Sequence, residues 1–209
     1  MILDDIFVAL QKGNPKEVER LVQQALEEGL SPSQILDEGL IKGMSVIGRK
    51  FKNNEVFVPE VLVAARAMNV GLKILRPALI SSNTKAKGKA VICTVMGDLH
   101  DTGKNMVKMM LEGQGIDVID LGVDVTPEMV ASAINEHHPD IVCLSALLTT
   151  TMTNQKVIID HLSKNNLRSL VKIMVGGAPI TLDYAQEIGA DAYAADAASA
   201  AEVALSLLA

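Results

Sequence analysis

The chain has 209 residues, 49% of them apolar and 2% aromatic, with a formal charge of −6 and two cysteines. That length suits one large domain or two small ones, and the composition predicts an aliphatic core built from helices and parallel strands. An acidic chain with no Lys/Arg stripe among aromatics argues against nucleic acid, and no apolar run approaches the roughly 20 residues that cross a bilayer.

The N-terminal Met1-Ile2-Leu3-Asp4-Asp5 carries acids where a secretory signal carries bases, so a cytoplasmic location is expected. Residues 1–80 then keep a helical period. Asn14-Pro15 and Ser31-Pro32 each place a capping side chain before a proline, and Gly13 and Gly29 stand where a preceding helix would end. The pattern predicts four antiparallel helices at about 2–12, 15–28, 32–52 and 58–79, forming a bundle. Ser81–Lys89 is polar, lacks periodicity and reads as a linker.

From residue 90 to 209, short apolar strands alternate with helices. The strands are expected at about 90–95, 117–121, 140–145, 171–175 and 191–194, and the helices at about 103–114, 127–137, 153–165, 181–188 and 197–208. This order predicts a flavodoxin-like, Rossmann-type doubly wound α/β domain with a five-stranded parallel sheet, strand order 2-1-3-4-5. Cys93 and Cys143 sit inside apolar runs and read as small buried hydrophobes, not as disulfide or zinc partners.

Ligands of such sheets bind beyond the carboxyl ends of the strands, beside the switch point. Three unusual loops meet that description: Gly97-Asp98-Leu99-His100-Asp101-Thr102-Gly103, Ser145-Ala146-Leu147-Leu148-Thr149-Thr150-Thr151 and Gly176-Gly177-Ala178-Pro179. A lone loop histidine is more often a bystander than a ligand. Here Asp98, two residues before His100, is the carboxylate to which a metal-ligating imidazole donates its second ring proton. Gly103 and Gly176-Gly177 would let a large ligand approach the backbone, and the hydroxyls from Ser145 to Thr151 supply donors and acceptors.

Asp98-x-His100-x-x-Gly103, then Ser145-x-Leu147, then Gly176-Gly177, resembles the cobalamin-binding signature of methionine synthase, corrinoid mutases and the corrinoid proteins of methylamine, methanol and methoxyl-aromatic methyltransferases. The resemblance implies a cobalt corrinoid whose own lower base is replaced by His100, with Asp98 hydrogen-bonded behind it and Thr151 in the place of the serine that completes a triad. It also implies that the loop Asp98, Leu99, His100, Asp101, Thr102, Gly103 meets the cofactor. The displaced nucleotide tail would pass Gly103, Ser145, Leu147, Gly176 and Gly177, with Thr149 near the tail or corrin rim and Tyr193 at the end of the tail pocket.

The similarity extends to Asn54–Met68, which resembles the helical cap over the upper, methyl-bearing face, with Phe57 and Val61 as its contacts. Such a cap, joined through residues 81–89, is expected to act as a movable lid. Corrinoid mutases lack this cap in their small subunits, and light-sensing cobalamin regulators carry Trp in theirs, whereas this chain has none. The family implies a methyl carrier that works with a cognate substrate:corrinoid methyltransferase, a second methyltransferase passing the methyl group to tetrahydrofolate or a thiol, and an ATP-dependent iron–sulfur reductive activase. The competing expectation is a cobalamin-dependent sensor or a cofactor-delivery protein.

Overall fold

Helix starts in the N-terminal part fall where a capping side chain precedes a proline. In the computed structural model, which describes residues 1–81 and 86–209, α1 (Ile2–Gln11) is followed by α2 (Pro15–Glu27), whose first turn is capped by Asn14 accepting the Glu17 N–H. Ser31 caps α3 (Pro32–Gln34) in the same way through the Gln34 N–H. The expected helix 32–52 is continuous but not uniform, because a π-helical stretch, Ile35–Ile41, separates α3 from α4 (Lys42–Lys52). Apolar spacing announces a helix; it does not distinguish a four-residue ladder from a five-residue one.

The fourth expected helix is α5 (Val58–Ser81), with Glu60 accepting the Phe57 N–H at its start. Within the linker expected at 81–89, residues 82–85 lie outside the described residues. Leu10, Val22, Leu40, Met44 and Leu75 are fully buried, as an aliphatic bundle requires.

Contacts divide the chain into two compact units, Met1–Ala86 with Gly113–Gly115, and Lys87–Glu112 with Ile116–Ala209. The second holds five parallel strands, β1 (Lys89–Thr94), β2 (Asp117–Asp120), β3 (Ile141–Ser145), β4 (Lys172–Gly176) and β5 (Ala192–Tyr193), in the order β2-β1-β3-β4-β5. Its helices are α6 (Thr102–Glu112), α7 (Pro127–His137), α8 (Thr153–Lys164), α9 (Leu182–Glu187) and α10 (Ala197–Leu208). The expected order therefore holds, with strand ends shifted by one or two residues. Beyond β1, Val95 still bridges Val125.

Alternation along the strands feeds two cores. Val91, Cys93, Val142 and Leu144 pack with α7 and α8 residues such as Val130, Ile134, Ile158 and Leu162, while Ala90, Ile92, Ile141 and Cys143 pack with Leu111, Ala200 and Ala204 of α6 and α10. Both cysteines are free and buried on opposite faces, and desolvation pushes their thiols up to about 12. They are inert apolar fillers, as their surroundings in the sequence indicate. Among the described residues no helix is long and apolar enough to cross a membrane.

Candidate functional site

The sheet order reverses between β1 and β3, and the loops leaving these two strands meet at one carboxylate. Asp98 is fully buried. Its Oδ1 accepts the main-chain N–H of His100 at 3.0 Å and lies 2.7 Å from the Nδ1 of the same residue. Its Oδ2 accepts the Thr151 hydroxyl at 2.6 Å and the N–H groups of Leu147 and Leu148 at 2.8 and 3.4 Å.

Burial pushes the Asp98 carboxyl up. The hydrogen bonds from Thr151, from the His100 and Leu147 N–H groups and from the His100 ring outweigh it and hold the group well below the usual carboxylate range. An ionised carboxylate only accepts, so Nδ1 carries the proton of the shared hydrogen bond, which turns Nε2 away from Asp98. Among the described residues Nε2 has no partner, and the His100 side chain is 52% exposed. The arrangement thus presents one oriented ring nitrogen at the sheet edge.

Several residues of this loop are tethered. The Thr94 hydroxyl donates to the His100 carbonyl at 2.9 Å, Asp124 Oδ1 accepts the Gly97 N–H at 2.7 Å, the Asp124 N–H reaches the Asp98 carbonyl at 3.1 Å, and Asn154 Nδ2 donates to the Met96 carbonyl at 2.7 Å. At the mouth of α6, the buried Lys104 ammonium lies 2.6 Å from Asp120 Oδ1, and Asp120 also accepts the Gly122 N–H. Sequence reasoning passed over Thr94, Asp124, Asn154, Lys104 and Asp120. The one available signal was Thr94, a hydroxyl closing an otherwise apolar strand.

The remaining expected residues divide in two. Leu99 is highly exposed, as are Met96, Leu147 and Leu148, so the loops after β1 and β3 carry an apolar rim. Asp101 is held by the Asn105 amide, Thr102 opens α6, Ser145 ends β3 opposite Gly176, and Thr149 is exposed. At Gly103 an added Cβ would meet nothing within 4 Å. Gly177 differs: with φ +129°, its Cβ would fall 1.8 Å from the Ala146 carbonyl oxygen, while Gly176 abuts the Ala194 carbonyl. The room expected there for a ligand is filled by the protein's own backbone. Tyr193 is half-buried against the α7/α8 core. In the helical unit Val61 is fully buried and offers no surface for a cofactor contact, whereas Phe57 is exposed.

The donor set bears on which metal species fits. Among the described residues no group of three or more His, Cys, Asp or Glu side chains could hold a metal ion. A metal that carries its other ligands with it, as in a macrocycle, needs only the single nitrogen this loop offers. The apolar rim and the open space at Gly103 suit such a broad, flat group, and the residues present fit a corrinoid.

Comparison with known proteins agrees. The B12 binding domain family matches residues 88–205, and a second B12 binding domain family matches residues 2–76. The chain is 42% identical over 210 residues to a corrinoid protein of Desulfitobacterium hafniense, covering 99% of this chain and 97% of that protein. It is 41% identical to monomethylamine corrinoid protein 1 of Methanosarcina acetivorans, again covering 99% and 97%. Among solved structures, a chain of the methanol:cobalamin methyltransferase complex of Methanosarcina barkeri superposes with a TM-score of 0.89 at 31% identity, over 99% of this chain and 79% of that one. The chain belongs to the B12-binding domain family, and its cofactor is cobalamin or a related corrinoid.

Proposed function

We propose that the chain is the methyl-carrying corrinoid subunit of a methyltransferase system, with His100 as the lower axial ligand to cobalt. The observation that carries this reading is the Thr151–Asp98–His100 chain, which leaves the ring's Nε2 facing outward at the carboxyl edge of the sheet. When held by His100 and its loop, the corrinoid would supply two-electron methyl-transfer chemistry between a donor and an acceptor.

The protein's own residues orient and tune. His100 offers the lone pair, Asp98 retains the Nδ1 proton and so sets the donor strength of the ring, and Thr151 fixes the carboxylate. Asp98, Leu99, Asp101, Thr102 and Gly103 form the loop over which the cofactor rests. Ser145, Leu147 and Thr149 are assigned to the path of its nucleotide tail, and Gly176 and Gly177, whose side-chain space is taken by the Ala194 and Ala146 carbonyls, to the close backbone packing beside it.

Similarity to a monomethylamine corrinoid protein and to a chain of the methanol:cobalamin methyltransferase complex supports a methyltransferase partner, which delivers the methyl group. A second methyltransferase with tetrahydrofolate or a thiol as acceptor, and an ATP-dependent iron–sulfur reductase, complete the proposed system. The test is to load the purified chain with cobalamin, reduce it, and add candidate methyltransferases with their methyl donors. A spectral change to the methylated cofactor that requires both the donor enzyme and this chain is expected. Absence of methylation with every methylamine, methanol and methoxyl-aromatic enzyme tried would overturn the carrier reading.

A further inference from the structure

Thr94 is the last residue of β1 and one of only five buried polar or charged side chains among the described residues. It follows Ala90 and Ile92 along the face that packs against α6 and α10. A hydroxyl on such a face is worse than a methyl group unless it finds an acceptor, because its desolvation is then uncompensated. The acceptor is the main-chain carbonyl of His100, 2.9 Å away and six residues on.

The consequence concerns the ligand loop more than the strand. His100 is gripped on its other side by Asp98, which accepts both its N–H and its Nδ1 proton. Thr94 supplies the opposing grip on its C=O. The Thr94 N–H itself donates to the Gly122 carbonyl at 3.0 Å, and the Gly122 N–H is held by Asp120, the partner of buried Lys104. The second grip is therefore anchored in β1, β2 and α6, while the first is anchored through Thr151 and Leu147 in the loop after β3.

We propose that Thr94 is a positioning residue for the axial ligand: its hydroxyl fixes the height of the His100 main chain above the sheet edge and thereby strengthens the imidazole's hold on cobalt. This rests on the reading of His100 as the ligand. Thr94 touches neither cofactor nor reacting atoms, and acts through the His100 carbonyl alone.

Competition with cyanide measures this without any methyl transfer. The protein is loaded with cyanocobalamin, and cyanide is titrated in while the dicyano absorbance bands are followed. A second cyanide can bind only by displacing the lower ligand, so the half-conversion concentration reports how tightly the imidazole is held. Thr94→Val, close in shape and suited to the apolar face, should lower that concentration about three- to tenfold, the range one neutral hydrogen bond supports. Thr94→Ser should restore it, because the hydroxyl returns, and Thr94→Ala carries the same expectation as Val should the valine variant fail to fold.

His100→Ala separates the two levels of the argument. If that variant converts at the same cyanide concentration as the unaltered protein, the assignment of His100 as ligand fails. If His100→Ala converts far more readily but Thr94→Val and Thr94→Ala match the unaltered protein, or if Thr94→Ser fails to restore it, the ligand stands and the positioning role of Thr94 is overturned.

Discussion

Thr151 and His100 hold opposite oxygens of one carboxylate: the Thr151 hydroxyl reaches Asp98 Oδ2 at 2.6 Å, while the His100 ring nitrogen lies 2.7 Å from Oδ1. The hydroxyl is thus the outer end of a three-residue chain whose inner end is the donor atom. Thr151→Val should destabilise the cofactor-free protein by about 1–2 kcal/mol, and Thr151→Ser should recover most of that. A urea-unfolding cycle with Asp98→Asn should give a coupling energy above about 0.5 kcal/mol, and strict additivity would show that the contact carries no energy of its own.

The carboxylate itself sets an acid dependence. Because Asp98 is held below its unfolded value of roughly 3.9, its ionised form stabilises the fold above that pH, and the contribution fades as pH falls below about 4. Asp98→Asn should therefore be less stable than the unaltered protein by about 1–3 kcal/mol at pH 7, with the gap beginning to narrow by pH 3. Unfolding at both values checks this. A gap independent of pH would show that the loss comes from shape rather than charge.

Replacement of His100 should leave folding nearly untouched, since its side chain is 52% exposed. In the cobalamin-loaded protein, His100→Ala should remove the nitrogen superhyperfine splitting from the Co(II) electron-spin spectrum. Splitting that survived unaltered would point to another nitrogen as the lower ligand.

Two glycines that look alike in the sequence should behave in opposite ways. Gly177→Ala combines a positive φ with a Cβ driven into the Ala146 carbonyl, and each of these costs about 1–3 kcal/mol, so the apoprotein should be severely destabilised. Gly103→Ala meets open space at the second residue of α6, and should leave the apoprotein as stable or up to about 1 kcal/mol more so. It should nonetheless retain cobalamin less well on dialysis. Equal retention would place the cofactor away from Gly103.

The Lys104–Asp120 pair predicts an asymmetric cost. Asp120→Asn leaves an ammonium that is 2% exposed with neutral acceptors such as Asn105 Oδ1 and no counter-charge at hand, and should destabilise by about 3 kcal/mol. Lys104→Met with Asp120→Asn should be markedly milder in thermal unfolding than Asp120→Asn alone, because no buried charge is then left uncompensated.

What could be read in the sequence, and what could not, follows from the range of each interaction. The strands and their order were legible because apolar runs such as Ala90–Val95 alternate with helices too short for anything but crossovers. Asp98 and His100 were legible because both partners sit on one loop. Thr94, Asp124 and Asn154 were not, since each bonds a main-chain atom, and every residue type offers that same group. The glycines misled in part: Gly103 and Gly177 announce a missing side chain, but only folding decides whether protein or open space takes its place. Val61 was named through resemblance to a cap, and its full burial shows that an apolar residue of that pattern also serves as core.

The double tether on His100 also bears on speed. With N–H and C=O both fixed, the imidazole can leave or regain a metal only by turning about its own two side-chain bonds, with no backbone rearrangement. Rotamer changes of exposed side chains take picoseconds to nanoseconds, whereas loop motions extend to microseconds. On the proposed reading of His100 as the cobalt ligand, binding and release would then need side-chain rotation and no rearrangement of the loop.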